Sequence, residues 1–427
     1  MALLMTAGCS DDTLIETGAP TTRSVAAAPY PPLGLFAGLI GTFPTGTPSA
    51  DFNERLITVA PGLASFTDAA AAYDAIIVLA LAAEAAKTDA PSKFASGVVE
   101  VTRRGSKCLS YAACLPTVQG GGKIDYDGQS GTIDLLPSGD PGDASFQVAT
   151  VDAAGSLIPG AIRSARADED AFDTPPTPVD VLGGPPADGV LRVGVLLDRS
   201  GVDAVSGNAQ RAAITLAMAD VNDSGGVLGL PMELVDGDPG DSAASAETAT
   251  ATLMSAGSDA VIAPVSNDRA APVITQVVAT GRIAMSASAS GASLDAEDRG
   301  LLFRTVPPDI LQARALADVV TGDGLLRPTL VIDAEPNSVA FATEFDARLV
   351  ALGGAADPAV LIVPGPDGPA AAATALTVAS ATTQAFVFVG RPEVIAATFT
   401  ALTEARLSPA ALPWYAANLS PALAPTP

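Results

Sequence analysis

Few residues in this chain of 427 can do covalent chemistry, and the pattern of those few excludes whole classes of reaction. There is no histidine. Its absence removes the serine-histidine-aspartate triad, the HExxH zinc site, haem held by a proximal histidine and every imidazole general base. Three cysteines remain, Cys9, Cys108 and Cys114. The last two are separated by Leu109-Ser110-Tyr111-Ala112-Ala113, which is not the C-x-x-C spacing of a catalytic dithiol. Zinc would need more ligands than two thiols. Asp236, Asp238, Asp241 and Glu247 place a glutamate at the twelfth position of a calcium loop. However, Pro239 and Gly240 stand at its fourth and fifth positions, and Asp241 occupies the sixth, where glycine is required. A strand-to-helix turn with carboxylates near the helix start accounts for the run better. No spacing of carboxylates suggests a reacting cluster, so neither an enzyme nor a cofactor or metal is expected.

These residues sit in a chain that is 48% hydrophobic, 16% charged and 4% aromatic, enough to bury one large core or two medium ones. Disorder throughout is excluded. Lys and Arg number 22 against 47 Asp and Glu, a net charge of -25, which leaves no basic surface for a phosphate backbone or an anionic bilayer. Nucleic acid is not an expected partner. No membrane span is expected either: the nearest candidate, the uncharged stretch 368–390, is Ala-rich, carries several Thr and Ser, and reads as a helix followed by the strand Ala385-Phe386-Val387-Phe388-Val389.

Along the chain, Ala2-Leu3-Leu4-Met5-Thr6-Ala7-Gly8-Cys9 resembles a bacterial lipobox, in which the thiol is diacylated and becomes the new N-terminus. Residues 1–9 then read as a truncated lipoprotein signal and 10–29 as a tether; the alternative is an ordinary disordered N-terminus. If Cys9 is lipidated, Cys108 and Cys114 form an even pair in an oxidising compartment, and a local disulfide is the default. Asp68 precedes a long Ala-rich helix over 69–86, whose face of Ile76, Ile77, Leu79, Ala80 and Ala83 should be buried. Turns and short strands follow near 120–135. Residues 151–190 hold a charged run beside Pro175, Pro176, Pro178, Pro185 and Pro186 and read as a linker. From Leu191 the sequence alternates strand and helix: strands over 191–197, 232–235, 260–263 and 283–285, helices over about 208–222 and 243–256. A second set starts with a helix at Leu311, then a strand over 329–332, a helix over 338–352 and a strand over 360–363. The alternation predicts parallel sheets with helices on both faces, in two doubly wound lobes, 191–310 and 311–427.

The motifs in this alternation are similar to those of the type I periplasmic ligand-binding proteins of the branched-chain amino-acid transporter group. Leu191-Arg192-Val193-Gly194-Val195-Leu196-Leu197 with Ser200-Gly201 resembles the family's first strand and loop. Asp220-Val221-Asn222 with Gly225-Gly226-Val227-Leu228-Gly229 resembles its next turn, and Val261 to Ser266, Met285 to Ser290 and Phe303 to Pro307 continue in family order. Residues 30–150 resemble the same family's last third, through Ala72-Tyr73-Asp74-Ala75, Ile124 to Gly128 and Ser130-Gly131, yet they precede the first strand. The C-terminal Trp414-Tyr415 region stops where Phe36-Ala37-Gly38-Leu39-Ile40-Gly41-Thr42 would resume. Each segment occurs once. The order therefore implies a circular permutant in which 151–190 joins the old ends, since native termini are usually close together at the surface. Two truncated tandem copies, or a misassembled gene model, would give the same string.

The resemblance implies an α/β fold of two hinged lobes that close on a small ligand. It carries the ligand's carboxylate and ammonium to Ser266, Asn267 and Asp268 and to Ser288 and Ser290; the alternative is that these serines merely cap helices. Where the family places a ring against the ligand, the chain has Ser206 in the first loop and Ser338 in the second lobe, and Asn267 replaces a serine. Asp198, Arg199, Asn337, Arg391 and Glu393 stand at expected strand ends and are further candidates. The function implied is that of a solute-binding lipoprotein of the periplasm or cell envelope, held to the membrane through a lipid anchor. It would deliver a small polar molecule, an amino acid among the candidates, to an ABC permease. The alternative is an envelope sensory or structural lipoprotein that keeps the fold without transport.

Overall fold

The computed structural model describes residues 36–45, 48–173, 183–201, 203–297 and 299–417. Cys9 and the tether lie outside them. In chain order the strands are β1 (Ile40–Pro44), β2 (Ser106–Cys108), β3 (Ile124–Gly128), β4 (Gly131–Thr132), β5 (Asp143–Val151), β6 (Leu157–Arg166), β7 (Arg192–Leu196), β8 (Glu233–Gly237), β9 (Ala260–Ile262), β10 (Ile283–Ser286), β11 (Leu302–Arg304), β12 (Pro328–Asp333), β13 (Asp357–Ile362), β14 (Ala385–Val389) and β15 (Trp414–Ala417). The helices are α1 (Ala50–Val59), α2 (Ala69–Ala86), α3 (Pro91–Glu100), α4 (Tyr111–Gln119), α5 (Glu169–Asp173), α6 (Ala204–Asp223), α7 (Ala243–Ser255), α8 (Asn267–Ala279), α9 (Asp309–Gly322), α10 (Pro336–Ala351), α11 (Gly368–Ala379) and α12 (Pro392–Glu404).

Two sheets carry the architecture. The first lobe has five strands in the order β11-β10-β9-β7-β8, all parallel. The second has seven, β13-β12-β14-β15-β1-β5-β6, parallel from β13 to β1 and antiparallel beyond. Central strands of this kind are buried on both faces: β14 and β12 are buried along their whole length. Neither lobe is built from one contiguous stretch. β1, β5 and β6, from the front of the chain, complete the sheet of β12 to β15, while residues 52–135 share one apolar core with residues 191–303. Polar contacts tie the same halves. Tyr73 Oη donates to Asp220 Oδ2 at 2.5 Å, Tyr111 Oη to the Gly226 carbonyl at 2.7 Å, and the Leu228 amide to Glu84 Oε1 at 2.6 Å.

The helix α2 has the expected bounds but more than the expected burial. Every residue from Ala69 to Glu84 is buried, not one face. It is also long and apolar enough by length and composition to cross a membrane, so the sequence holds such a run after all; 89% of it is enclosed in the protein, as befits a helix apolar all round. Its buried Asp74 is satisfied by four donors: Tyr126 Oη at 2.8 Å, the Gln129 and Ser130 amides at 2.9 and 2.7 Å, and Ser130 Oγ at 2.5 Å.

The expected linker is corrected in part. Residues 157–166 form β6, paired with β5, because an edge strand needs only one satisfied side and tolerates Pro159 beside the register shift at Gln147 to Ala149. Farther on, the Asp188 and Gly189 amides donate to Asp89 Oδ2 at 3.0 and 2.9 Å, pinning the tract to the first lobe before β7.

Besides the tract between β6 and β7, the chain passes between the sheets, among the described residues, beside Thr45 and Pro48, near 136–142 and near 305–308. Two of these crossings are stapled together by the buried Arg304, whose guanidinium pairs with Asp140 and, at 2.6 Å, with Asp295. Its amide donates to the Gly139 carbonyl at 2.9 Å. Gly139, at φ +93°, has Leu302 O only 2.2 Å from where a Cβ would sit.

Candidate functional site

Between the lobes lies a cleft of about 1630 Å³, walled by both. Its position follows from the topology: in open parallel sheets the strands' carboxyl ends and the following helix N-termini face one edge, where free N–H groups meet a ligand. The first lobe contributes Ser266, Asn267 and Asp268 at the start of α8, residues 288–290 after β10, and Asp68 at the start of α2. The second contributes Glu335, Asn337 and Ser338 at the start of α10, and Arg391 and Glu393 at the start of α12. The crossings supply Thr45, Pro48, Pro141, Thr305 and Pro307. Phe43, Phe66, Phe341 and Phe399 give the wall its apolar part.

Five of the six sequence-predicted binding residues come together on this wall: Ser266, Asn267, Ser288, Ser290 and Ser338. Their partners differ. Ser266 Oγ accepts from Arg269 Nε at 3.0 Å and makes no side-chain cap. Asn267 Oδ1 accepts from the Gly291 amide at 3.1 Å, and Ser290 Oγ donates to Asp309 Oδ1 at 2.7 Å. Ser288 Oγ is buried without a hydrogen-bond partner, an orphan on the wall of a polar cleft. Asn337 Oδ1 accepts from the Ser293 amide at 2.9 Å and lies 2.5 Å from where a Cβ of Gly291 would sit. The lobes therefore meet through Asn337 at this edge.

Ser206 is the exception. It sits behind the wall in α6, where its Oγ donates to Asp68 Oδ2 at 2.5 Å and accepts from Gln210 Nε2 at 3.0 Å. Asp68, brought by the front of the chain, stands between it and the cleft. Two of the further candidates are likewise not on the wall: Asp198 is buried against Arg269, and Arg199 pairs with Asp236 at 2.7 Å. Asp236 also pairs with Arg211, and Asp238 Oδ1 accepts from the Gly240 amide at 2.9 Å, as a strand-to-helix turn requires. Among the described residues no group of three or more Cys, Asp or Glu side chains is placed to hold a metal. Cys108 and Cys114 are joined as a disulfide, and the loop it closes carries the exposed Leu109 to the cleft.

Burial shapes the electrostatics. It pushes the Asp68 carboxyl up to about 6, a rise that the Ser206 hydrogen bond opposes, and it also raises Asp309 despite Ser290 and Arg304. The Asp74 carboxyl behind the 128–131 loop is likewise pushed up to about 6. Asp68, Asp309 and the 129–132 wall were not singled out from sequence as ligand-facing; Asp68 was legible only as a residue preceding a helix.

A family model described as periplasmic binding protein matches residues 190–425. Curated proteins give no match. Similar solved structures include an ABC-transporter solute-binding protein from R. palustris in complex with 4-hydroxybenzoate, 15% identical, with a TM-score of 0.45 over 55% of this chain and 62% of that one. A branched-chain amino acid transporter substrate-binding protein from Streptococcus pneumoniae, in complex with isoleucine, is 24% identical with a TM-score of 0.39 over 47% and 56%. An ABC transporter substrate-binding protein from Sphaerobacter thermophilus is 20% identical with a TM-score of 0.46 over 53% and 62%. The chain thus spans less than two thirds of the length of each of these three.

Proposed function

From the premise that this chain belongs to the type I periplasmic binding proteins, we propose that it is an extracytoplasmic solute-binding protein that captures a small polar molecule for an ABC permease. The observation that carries this reading is the interlobe cleft, where Ser266, Asn267, Ser288 and Ser290 from one lobe face Ser338 from the other. Short hydroxyl and amide side chains donate and accept at close range, and lobe closure would exclude water around them. The unpartnered Ser288 hydroxyl is a group that a ligand would satisfy. An amino acid or related solute fits these groups, while Ser338, on the wall in place of a ring, argues against a branched-chain specificity. The family binds substrates rather than transforming them.

We read the order of elements as a circular permutation, with the tract between β6 and β7 joining what would be the ends of an unpermuted chain. Cys9 is the proposed lipid anchor, which mass spectrometry of the envelope fraction tests. A thermal-shift screen against amino acids and related solutes tests the main reading, because selective binding to the folded form raises its apparent stability. The expected result is a saturable shift with at least one solute, weakened about tenfold in affinity by Ser290→Ala and by Asn267→Ala. Unchanged affinities would overturn the site, and no shift with any solute would overturn the function.

A further inference from the structure

The solute-binding reading leaves open which chemical class enters the cleft, and one residue that the reading does not use bears on it. Asp68 occupies the cap position of α2 at φ +59°, a left-handed conformation that L residues other than Asn and Asp seldom adopt. Despite that position its carboxylate caps nothing in its own helix. It faces the cleft instead and is held there from behind by Ser206 Oγ at 2.5 Å, itself fixed by Gln210 Nε2 at 3.0 Å. Gln210 is fully buried and Ser206 nearly so, so this relay is a built support and not a chance surface contact. Among the described residues no Lys or Arg pairs with Asp68.

The rest of the wall has the same sign. Asp143, Asp268, Asp309 and Glu393 line it. Arg391 is the one Lys or Arg among the described lining residues, and it is committed elsewhere: its Nε lies 3.1 Å from Asp333 and 4.0 Å from Glu393, and its Nη2 lies 3.4 Å from Glu335. A partly enclosed carboxylate without a counter-cation is costly unless something cationic joins it. Two residues before it, Phe66 lines the same wall, so the charged position borders apolar surface.

We propose that Asp68 is the specificity-determining residue of the cleft and that it receives the ammonium group of an amine-bearing solute with an apolar body, to the exclusion of solutes that are purely anionic. This rests on the solute-binding reading. Ser206 and Gln210 act as positioning residues that aim the carboxylate. The second lobe, with its guanidinium already neutralised, offers no counter-charge that would favour an anion over an amine.

The test uses calorimetric titration of the whole protein at pH 7.5 with three probes of similar size: L-leucinamide, a cation, L-leucine, a zwitterion, and 4-methylpentanoate, an anion. Asp68→Asn is isosteric and keeps a residue that tolerates the left-handed backbone. The expected result is binding of the cation or the zwitterion and not of the anion, with a loss of at least tenfold in Asp68→Asn. The unliganded variant should melt no lower than the parent, because an unpaired buried charge has been removed; that readout separates lost recognition from lost folding. Binding of the anion, or amine affinity unchanged in Asp68→Asn, would overturn the assignment while leaving solute binding in place. No binding of any probe would overturn the assignment alone if the protein answers other solutes in the thermal-shift screen, and would overturn both readings if it answers none.

Discussion

Ile40 is paired with Tyr415 in a parallel ladder, so the first and last strands described are neighbours inside one sheet. The parallel core of the second lobe is closed by a strand from the opposite end of the chain. Such a neighbour relation is what a reordered chain requires, and it can be tested by reordering again. A variant that starts at residue 183, ends at residue 173 and joins Pro427 directly to Met1 restores the proposed ancestral order. Residues 418–427 and 1–35 then exceed the dozen or so that a parallel crossover needs. It should unfold cooperatively within a few degrees of the parent, as circular dichroism would record; absence of a transition would contradict the permutation.

Gly128 and Asp74 make a second test. A Cβ on Gly128 would lie 2.1 Å from Asp74 Oδ1, the oxygen that also accepts from Tyr126 and Gln129. Gly128→Ala must therefore push the 128–131 wall off α2. The expected cost is about 1–3 kcal/mol in denaturant unfolding, with weaker solute binding because this wall lines the cleft.

Arg304, buried to 1% exposure at the start of the 305–308 crossing, pairs with Asp140 in the 136–142 crossing and with Asp295 in its own lobe. Arg304→Met leaves Asp140 without its cation in a mostly buried place. A loss of about 3–5 kcal/mol is expected, measured by urea unfolding. A loss below 1 kcal/mol would show that the staple is dispensable.

The pH dependence has a definite sign. Burial pushes Asp259 up to about 7, with Asp89 and Asp188 nearby adding to the rise, although its Oδ2 accepts the Arg192 amide at 2.9 Å. A carboxyl whose pKa is higher folded than unfolded contributes stability that is complete below the unfolded value near 3.8 and is lost as pH rises through the folded value. Asp68 and Asp74 act in the same direction up to about 6. The parent protein should therefore melt at progressively lower temperature between pH 4 and pH 8, and Asp259→Asn should flatten that slope, by an amount of order a few kcal/mol at the alkaline end.

How much of this was legible in the sequence depends on the range of the interactions involved. The bounds of α2 follow from an Ala-rich run, a local property, and the strands from β7 onward follow from alternation of apolar blocks with helices. Burial of α2 on all sides was not legible, because the neighbours that cover it come from α1, α3, α4 and α6. β6 was hidden because the Pro-rich, charged tract that follows it gave the whole of 151–190 the composition of a linker, and only an edge position makes Pro159 and Gly160 harmless in a strand. Ser266, Asn267, Ser288, Ser290 and Ser338 came from motifs that sit at helix and strand ends in either order of the chain. Asp68 could not: only the fold brings the start of α2 between Ser206 and the cleft, and nothing in the residues around position 206 announces it.

The most direct test of the hinged clamp is backbone hydrogen exchange, followed with and without a solute that the thermal-shift screen identifies. The account predicts slowed exchange in both lobes at once, at residues 266–268 and 288–293 in the first and at 335–338 in the second, with little change on the far faces of α7 and α11. Protection confined to one lobe, or appearing away from these segments, would contradict it.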